Sequence, residues 1–422
     1  MELTTIIFIA LAVLLLLGVE ILTVIGIGAV ALTLVTDQFP LLNVSLTTFD
    51  SLNLFPLLAL PLFVVTGDLI AAGGIAAQIM RFSQSVVGWV RGGLALTTMV
   101  SSGIFAAISG SNAATVATVG KVVLPEMKKQ NYEPGFSAAS VAAGGVVGII
   151  IPPSVAFVLY GVSTGVSVSD LFIAGIIPGL LMVTVMCVTA YFICKRHGFG
   201  ERTPFDAKVA IRAAIDTRYA LGAIAIILVG IYSGIFTPTE AGAVSAVYCL
   251  FVSVVVTRQL KLRDLPAVLI SSSRICGLVV PVVAVAMVLS QNLTMLRIPD
   301  ALVSTILGVS SDPTILLCLV LVLLIIAGSL MEAAPNILIL APMLTPVARE
   351  LGIDPVHFGV IVVSTLAVGF ITPPIGLNLF VASAISGTSF ASVTKSALPY
   401  VAVLIVCCIA IAFVPVLSMA FL

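Results

Sequence analysis

Ser109, Gly110, Ser111 and Asn112 sit side by side in AAISGSNAATVATVG (106–120), in the middle of an apolar stretch. Ser154 follows an adjacent proline pair, Pro152-Pro153, in GIIIPPSVAF (148–157). The arrangement recurs as Ser329, Glu332 and Asn336 in GSLMEAAPNILIL (328–340), then Thr372, Pro373, Pro374, Gly376 and Asn378 in GFITPPIGLN (369–378). The side chains offered are hydroxyls, amides and one carboxylate. Each proline pair removes two backbone donors and pushes the preceding residue out of helical geometry. In hydrocarbon the carbonyls so freed each cost several kcal/mol unless something pairs with them. Unwound carbonyls ringed by hydroxyls and amides make an oxygen-only shell, which suits a hard monovalent cation such as Na⁺. Where two half-helices meet at a tip, the amide-rich start of one attracts an anion. Taken alone, Ser and Gly at a tip also permit a tight turn and close helix packing without any ligand.

The elements that must hold these residues are membrane helices. Of 422 residues, 60% are hydrophobic and 9% charged, with a mean hydropathy of +1.29, more apolar surface than a soluble fold can hide. Apolar runs near 5–36, 54–73, 94–120, 135–163, 171–194, 219–236, 239–257, 267–290, 314–346, 356–386 and 397–421 read as helical membrane segments. The first run is long enough for one steep helix or two short ones hinged near Gly18. Segments 94–130 and 313–350 carry small or polar residues at their centres and read as re-entrant helix-turn-helix hairpins. Stretches 75–89 and 298–310 are shorter and amphipathic; Ile75, Ile79, Phe82, Val86 and Trp89 fall at helical spacing opposite Gln78, Arg81 and Ser85, the pattern of an interfacial helix.

An internal repeat organises the chain. Pro125 and Pro346, Pro134 and Pro355, Gly148 and Gly369, and the two proline pairs are each separated by 221 residues, so 54–163 and 279–386 read as structural duplicates. Charge orients them. With the first hairpin opening to the cytoplasm and the second to the outside, Arg81, Arg91, Lys121, Lys128, Lys129, the six basic residues of 195–218, Arg258, Lys261, Arg263, Arg274 and Lys395 all lie inside. Only Arg297 and Arg349 stay outside, against Asp37, Asp50, Asp170, Asp300, Asp312 and Asp354, which obeys the positive-inside rule. The expected fold is an all-α polytopic membrane protein, an inverted repeat with two re-entrant hairpins and two broken helices, the architecture of secondary transporters with a midplane site.

Glu332 is the acid placed deepest and stands either on the functional site or in an outer vestibule. Asp68 ends a membrane segment and is expected to hold a structural hydrogen bond. Thr237-Pro238-Thr239-Glu240 has the form of a capping box. His197 and His357 are isolated and read as interfacial, and all seven cysteines as packing residues. An intramembrane hydrolase would need a Ser-His or paired-Asp constellation at depth, which the sequence does not suggest. Net charge is zero with no basic cluster for nucleic acid. The start, MELTTIIFIALAVLLLLG, lacks a basic n-region and carries Glu2, so a cleaved signal peptide is not expected.

ISGSNAATVATVG, PEMKK, GIIIPPSVAFVLYGVSTG, SGIFTPTEAGAV, GIDPVHFG and GFITPPIGLNLFV, in this order, resemble the large membrane subunit of the TRAP (tripartite ATP-independent periplasmic) transporters. Asn112 stands where a small hydroxyl residue is usual, and Glu332 where Asp is frequent. The resemblance implies a sodium-driven importer of organic anions such as C4-dicarboxylates or sialic acid, in a bacterial or archaeal inner membrane. It also implies a periplasmic substrate-binding protein (P) and a small membrane subunit (Q) as separate chains, and an elevator motion. On that view 1–91 forms scaffold helices and a first arm helix, 92–163 the first hairpin and broken helix, and 164–312 scaffold helices and a second arm helix. Residues 313–386 form the second hairpin and broken helix, and 387–422 a C-terminal scaffold helix. A stand-alone sodium-coupled anion carrier or ion exchanger of similar fold is the alternative.

Overall fold

The computed structural model describes residues 2–36, 40–200, 204–310 and 312–422. Asp37 and Arg202 of the charge comparison lie outside these residues, as do the side chains of Glu2 and Ile75. The first apolar run forms two helices, α1 (Glu2–Leu16) and α2 (Ile21–Thr36), which pack on each other across Gly18 at φ +79°, with Gly28 against Leu11. Then come α3 (Leu41–Leu52), α4 (Ala59–Ala72) and the amphipathic α5 (Ile75–Val87). The first tip joins α6 (Gly93–Ser109) to α7 (Asn112–Lys129). The first broken helix is α8 (Pro134–Gly145), a 3₁₀ turn and the proline pair, then α9 (Val155–Thr164).

The connecting region holds α10 (Val168–Ala174), α11 (Ile176–His197), α12 (Ala207–Asp216), α13 (Arg218–Tyr232), α14 (Pro238–Phe251), α15 (Leu265–Met295) and α16 (Ile298–Val309). The second tip joins α17 (Pro313–Leu330) to α18 (Ala333–Glu350), and the second broken helix is α19 (Pro355–Gly369) and α20 (Leu377–Ser386). The chain ends in α21 (Phe390–Phe413) and α22 (Val416–Met419). Six helices among the described residues are long and apolar enough to cross a membrane, or seven if the pair α12 and α13, bent by 65°, counts as one span.

The punctuation residues set these boundaries. Pro134, Pro238, Pro313 and Pro355 each occupy a first-turn position, where the missing amide has no intrahelical partner to lose. The bounds of α7, shifted by 221, are those of α18, and Pro134 and Pro355 start α8 and α19. Packing is crosswise: α7 lies against α20, and α18 against α9, so each broken helix touches the hairpin of the other half.

The helices fall into two sets. In one, α2, α3, α4, α14 and α15 pack together, joined by Thr66 Oγ1 and Ser245 Oγ at 3.2 Å and by Asn292, whose amide donates to Ala29 O and Thr33 Oγ1 at 3.0 and 2.9 Å. The other holds the hairpins and broken helices. In the segment 387–422, α21 packs on α8, α11 and α19. Small residues make the close approach possible. A methyl on Gly135 would sit 2.5 Å from Ser392 Oγ, and Ser140 and Tyr400 hydroxyls lie 3.0 Å apart. The helix α11 likewise packs on α6 and α21.

Several local expectations hold. Ser272 donates to Asp68 Oδ2 at 2.8 Å. Thr237 and Glu240 form both bonds of a capping box. Two expectations fail. His357 is buried rather than interfacial: α22 folds over the start of α19 and places Ser418 Oγ 2.6 Å from His357 Nδ1. Cys318, read as a packing residue, is exposed on α17.

Candidate functional site

The first tip is built by three local devices. Gly110 adopts a left-handed conformation at φ +59° and caps α6 by donating to Ala106 O, a geometry that side chains disfavour. Ser111 is the N-cap of α7 and its Oγ accepts from Ala114 N at 3.4 Å. Thr115, one turn into α7, donates to Ser111 O at 2.7 Å and lies 3.3 Å from Ser109 Oγ.

This tip is pressed into the first helix break. Val155 N donates to Gly110 O at 3.4 Å, and a methyl on Gly110 would lie 2.8 Å from Pro153 O. A methyl on Gly148 would lie 2.7 Å from both Asn112 Cα and Ser111 O. The Pro152-Pro153 bond is cis and both prolines are buried. Ser154 is spent partly on structure, as N-cap of α9 accepting from Phe157 N at 3.2 Å and donating to Ile149 O at 2.5 Å.

The second tip meets the second break in the same manner. Gly376 N donates to Ser329 O at 3.1 Å, and a methyl on Gly369 would stand 2.5 Å from Gly328 C. Ser329 and Thr372 donate to backbone carbonyls of their own helices, Ile326 O at 2.7 Å and Val368 O at 2.8 Å. A hydroxyl that donates still has lone pairs to offer a cation. Asn336 is fully buried. Its Nδ2 donates to Ala327 O and Met331 O, both at 3.0 Å, while its Oδ1 has no partner among the described residues. A buried acceptor held in place and unpaired is suited to a cation or a donor group.

Hydrogen bonds join the halves beside the first tip and, away from it, where Tyr160 Oη donates to Pro355 O at 3.2 Å. Asn112 Nδ2 donates to Asn378 Oδ1 at 3.1 Å, and Asn378 Nδ2 donates on to Ala142 O at 3.2 Å, with both asparagines buried. Asn378 N also bonds Phe370 O at 3.0 Å across the break. Gly145 leaves room for this, since a methyl there would lie 3.0 Å from Asn378 Nδ2.

The two halves differ in exposure. Pro373, Pro374 and Ile375 are exposed, and so is Glu332, which is the N-cap residue of α18 but makes no side-chain cap bond. The first break is therefore buried within the chain, whereas the second lies at its surface beside Leu330 (47% exposed). Residues the sequence reading passed over are Thr115, Gly145 and Gly328. Thr115 was signalled by its spacing of four from Ser111, which puts both on one helix face. The cavities of about 850 and 410 Å³ lie at helix ends, around Arg196 and Arg212, rather than at the tips.

Long apolar helices, two discontinuous helices and two tips seated in them define a polytopic helical membrane protein with a transporter fold. The Alcanivorax borkumensis YdaH transporter has the same overall fold, with a TM-score of 0.58 over 84% of each chain at 17% identity. Residues 8–417 match the family described as "Tripartite ATP-independent periplasmic transporter, DctM component", and the chain belongs to that family. It is 39% identical over 382 residues to the C4-dicarboxylate TRAP transporter large permease protein DctM of Pseudomonas aeruginosa, covering 90% of this chain and 88% of that one. It is 37% identical over 411 residues to the isethionate TRAP transporter permease protein DctMQ of Oleidesulfovibrio alaskensis, covering 97% of this chain and 65% of that longer protein.

Proposed function

We propose that this chain is the membrane subunit of a sodium-coupled secondary importer of small organic anions, working in a bacterial or archaeal inner membrane. The observation that carries this reading is the seating of each tip in the helix break of its own half, with the halves packed crosswise through α7 on α20 and α18 on α9 and linked by Asn112 and Asn378. Lys121 supports the depth assignment. It is exposed and lies nine residues after Asn112, about 14 Å along the helix, close to half of a hydrocarbon core of about 30 Å. With Lys121 at the water boundary, the first tip lies near the midplane. The 221-residue correspondence of elements and the charge distribution together support an inverted repeat.

In this mechanism Na⁺ is held by oxygens of the tips and breaks: Ser109, Ser111 and Asn112 in one half, and Ser329, Asn336 Oδ1 and the carbonyls beside Pro373-Pro374 in the other. No arginine lies at either tip, so the substrate anion meets the amide-rich starts of α7, α9, α18 and α20. The helices that pack as one set with the hairpins, α6–α11 and α17–α21, move together against the remaining helices in an elevator motion. Carboxylates such as C4-dicarboxylates or sialic acid, and the sulfonate class indicated by the second relative, are the substrates considered. A periplasmic binding protein delivers them, and a small membrane subunit works beside this one.

Thermal unfolding of the purified chain tests the ion assignment. Na⁺ raises the midpoint at concentrations where K⁺ does not, because an ion that binds only the folded state stabilises it. Equal effects of the two ions contradict it. Reconstituted uptake that proceeds equally without added binding protein favours the stand-alone carrier instead.

A further inference from the structure

The helices α5 and α12 enclose a cavity of about 410 Å³ that the transport mechanism does not use. Both are amphipathic and shorter than a membrane span. No residue of α12 is buried, and Phe205, Val209, Ile211 and Ile215 are each more than half exposed, as is normal where apolar side chains face lipid at a bilayer surface. Trp89 and Phe205 pack edge-on at the mouth, with ring centroids 6.2 Å apart, and amphipathic aromatics of this kind favour the headgroup level. The charged residues lining the cavity are Arg81 and Arg212, from different helices, and Asp206 and Asp216. None of the four forms an ion pair among the described residues. Asp206 Oδ1 also caps α12, accepting from Lys208 N at 2.8 Å and Val209 N at 3.4 Å. Two guanidinium groups and two carboxylates, none of them ion-paired, complement a zwitterion better than an anion.

We propose that this groove binds a phosphoethanolamine-headed phospholipid. The phosphate lies on Arg81 and Arg212, the ammonium faces Asp206 and Asp216, and the acyl chains run over Trp89, Phe205 and Val209. The site lies away from both tips, and it requires neither the sodium reading nor a particular membrane orientation. The lipid would brace α5 against α12, which Thr217 Oγ1 also links by donating to Gln78 O at 3.1 Å.

Short-chain phosphatidylethanolamine titrated into the full chain in detergent, read by native mass spectrometry and by thermal midpoint, tests this. The wild type retains the lipid and is stabilised by it. The double variant Arg81→Gln, Arg212→Gln has the same midpoint without lipid and binds about tenfold more weakly or worse, as expected for losing charge-assisted hydrogen bonds. Phosphatidylglycerol binding as well as phosphatidylethanolamine overturns the zwitterion assignment. Soluble glycerophosphoethanolamine binding equally well overturns the lipid assignment. Unchanged binding by the variant, or exclusion of lipid from the groove when the small membrane subunit is bound there, overturns the site itself. If the double variant does not fold, Asp216→Asn takes its place, and the expected result is a lost preference for the ethanolamine headgroup.

Discussion

Asn112 in the first tip donates to Asn378 beside the second helix break at 3.1 Å, joining residues 266 positions apart and both shielded from solvent. Removing either side chain leaves the other with a buried, unpaired amide, at a cost of about 1–3 kcal/mol. Asn112→Ala and Asn378→Ala each lower the thermal midpoint, and the double variant falls short of the sum, with a coupling of about 0.5 kcal/mol or more. Strict additivity would mean that the two amides do not interact.

The glycines under the tips carry a sharper expectation. In Gly369→Ala the new methyl would stand 2.5 Å from Gly328 C, a backbone atom that cannot turn aside. The substitution costs about 1–3 kcal/mol and abolishes uptake in a chain that still inserts. Gly277→Ala is the control for crowding, because nothing lies within 4 Å of its Cβ position inside the helix α15. Normal uptake by Gly369→Ala would show that the tip does not need its close seat.

The pairing of His357 with Ser418 pins the end of the chain over α19. Ser418→Ala frees α22 and raises hydrogen exchange across 414–422 while leaving exchange at the tips unchanged. Unaltered exchange in that segment would assign its order to apolar packing alone.

Ser272 gives Asp68 its one side-chain partner among the described residues and ties α4 to α15. Ser272→Ala removes a hydrogen bond to a charged group, worth about 2 kcal/mol, whereas Ser272→Thr keeps the hydroxyl. The expected result is a lower midpoint for the alanine variant, restored in the threonine variant, with sodium dependence of uptake the same in both.

The two breaks and several helix starts were readable because proline and glycine fix backbone geometry wherever they fall. Pro134, Pro355 and the two proline pairs therefore located helix starts and interruptions directly. The bond between Asn112 and Asn378 was not readable. It arises from α7 docking on α20, a tertiary event that leaves no periodicity in either segment. The neighbours of α21 were not readable for a related reason. An apolar helix carries the same hydropathy whether it faces lipid or a hairpin, and only the small residues at Gly135, Ser392 and Ser396 show which neighbour it meets. The exposure of Pro373 and Glu332 was also hidden, since the two breaks are alike in sequence and differ in what covers them.

The central claim is that two tips seated in two broken helices couple an organic anion to sodium. It is tested most directly by uptake of a labelled dicarboxylate or sulfonate into proteoliposomes holding this chain, its small membrane subunit and the binding protein. The account predicts accumulation under an inward Na⁺ gradient and loss of accumulation when K⁺ replaces Na⁺ at the same membrane potential. Equal accumulation under both conditions would contradict it.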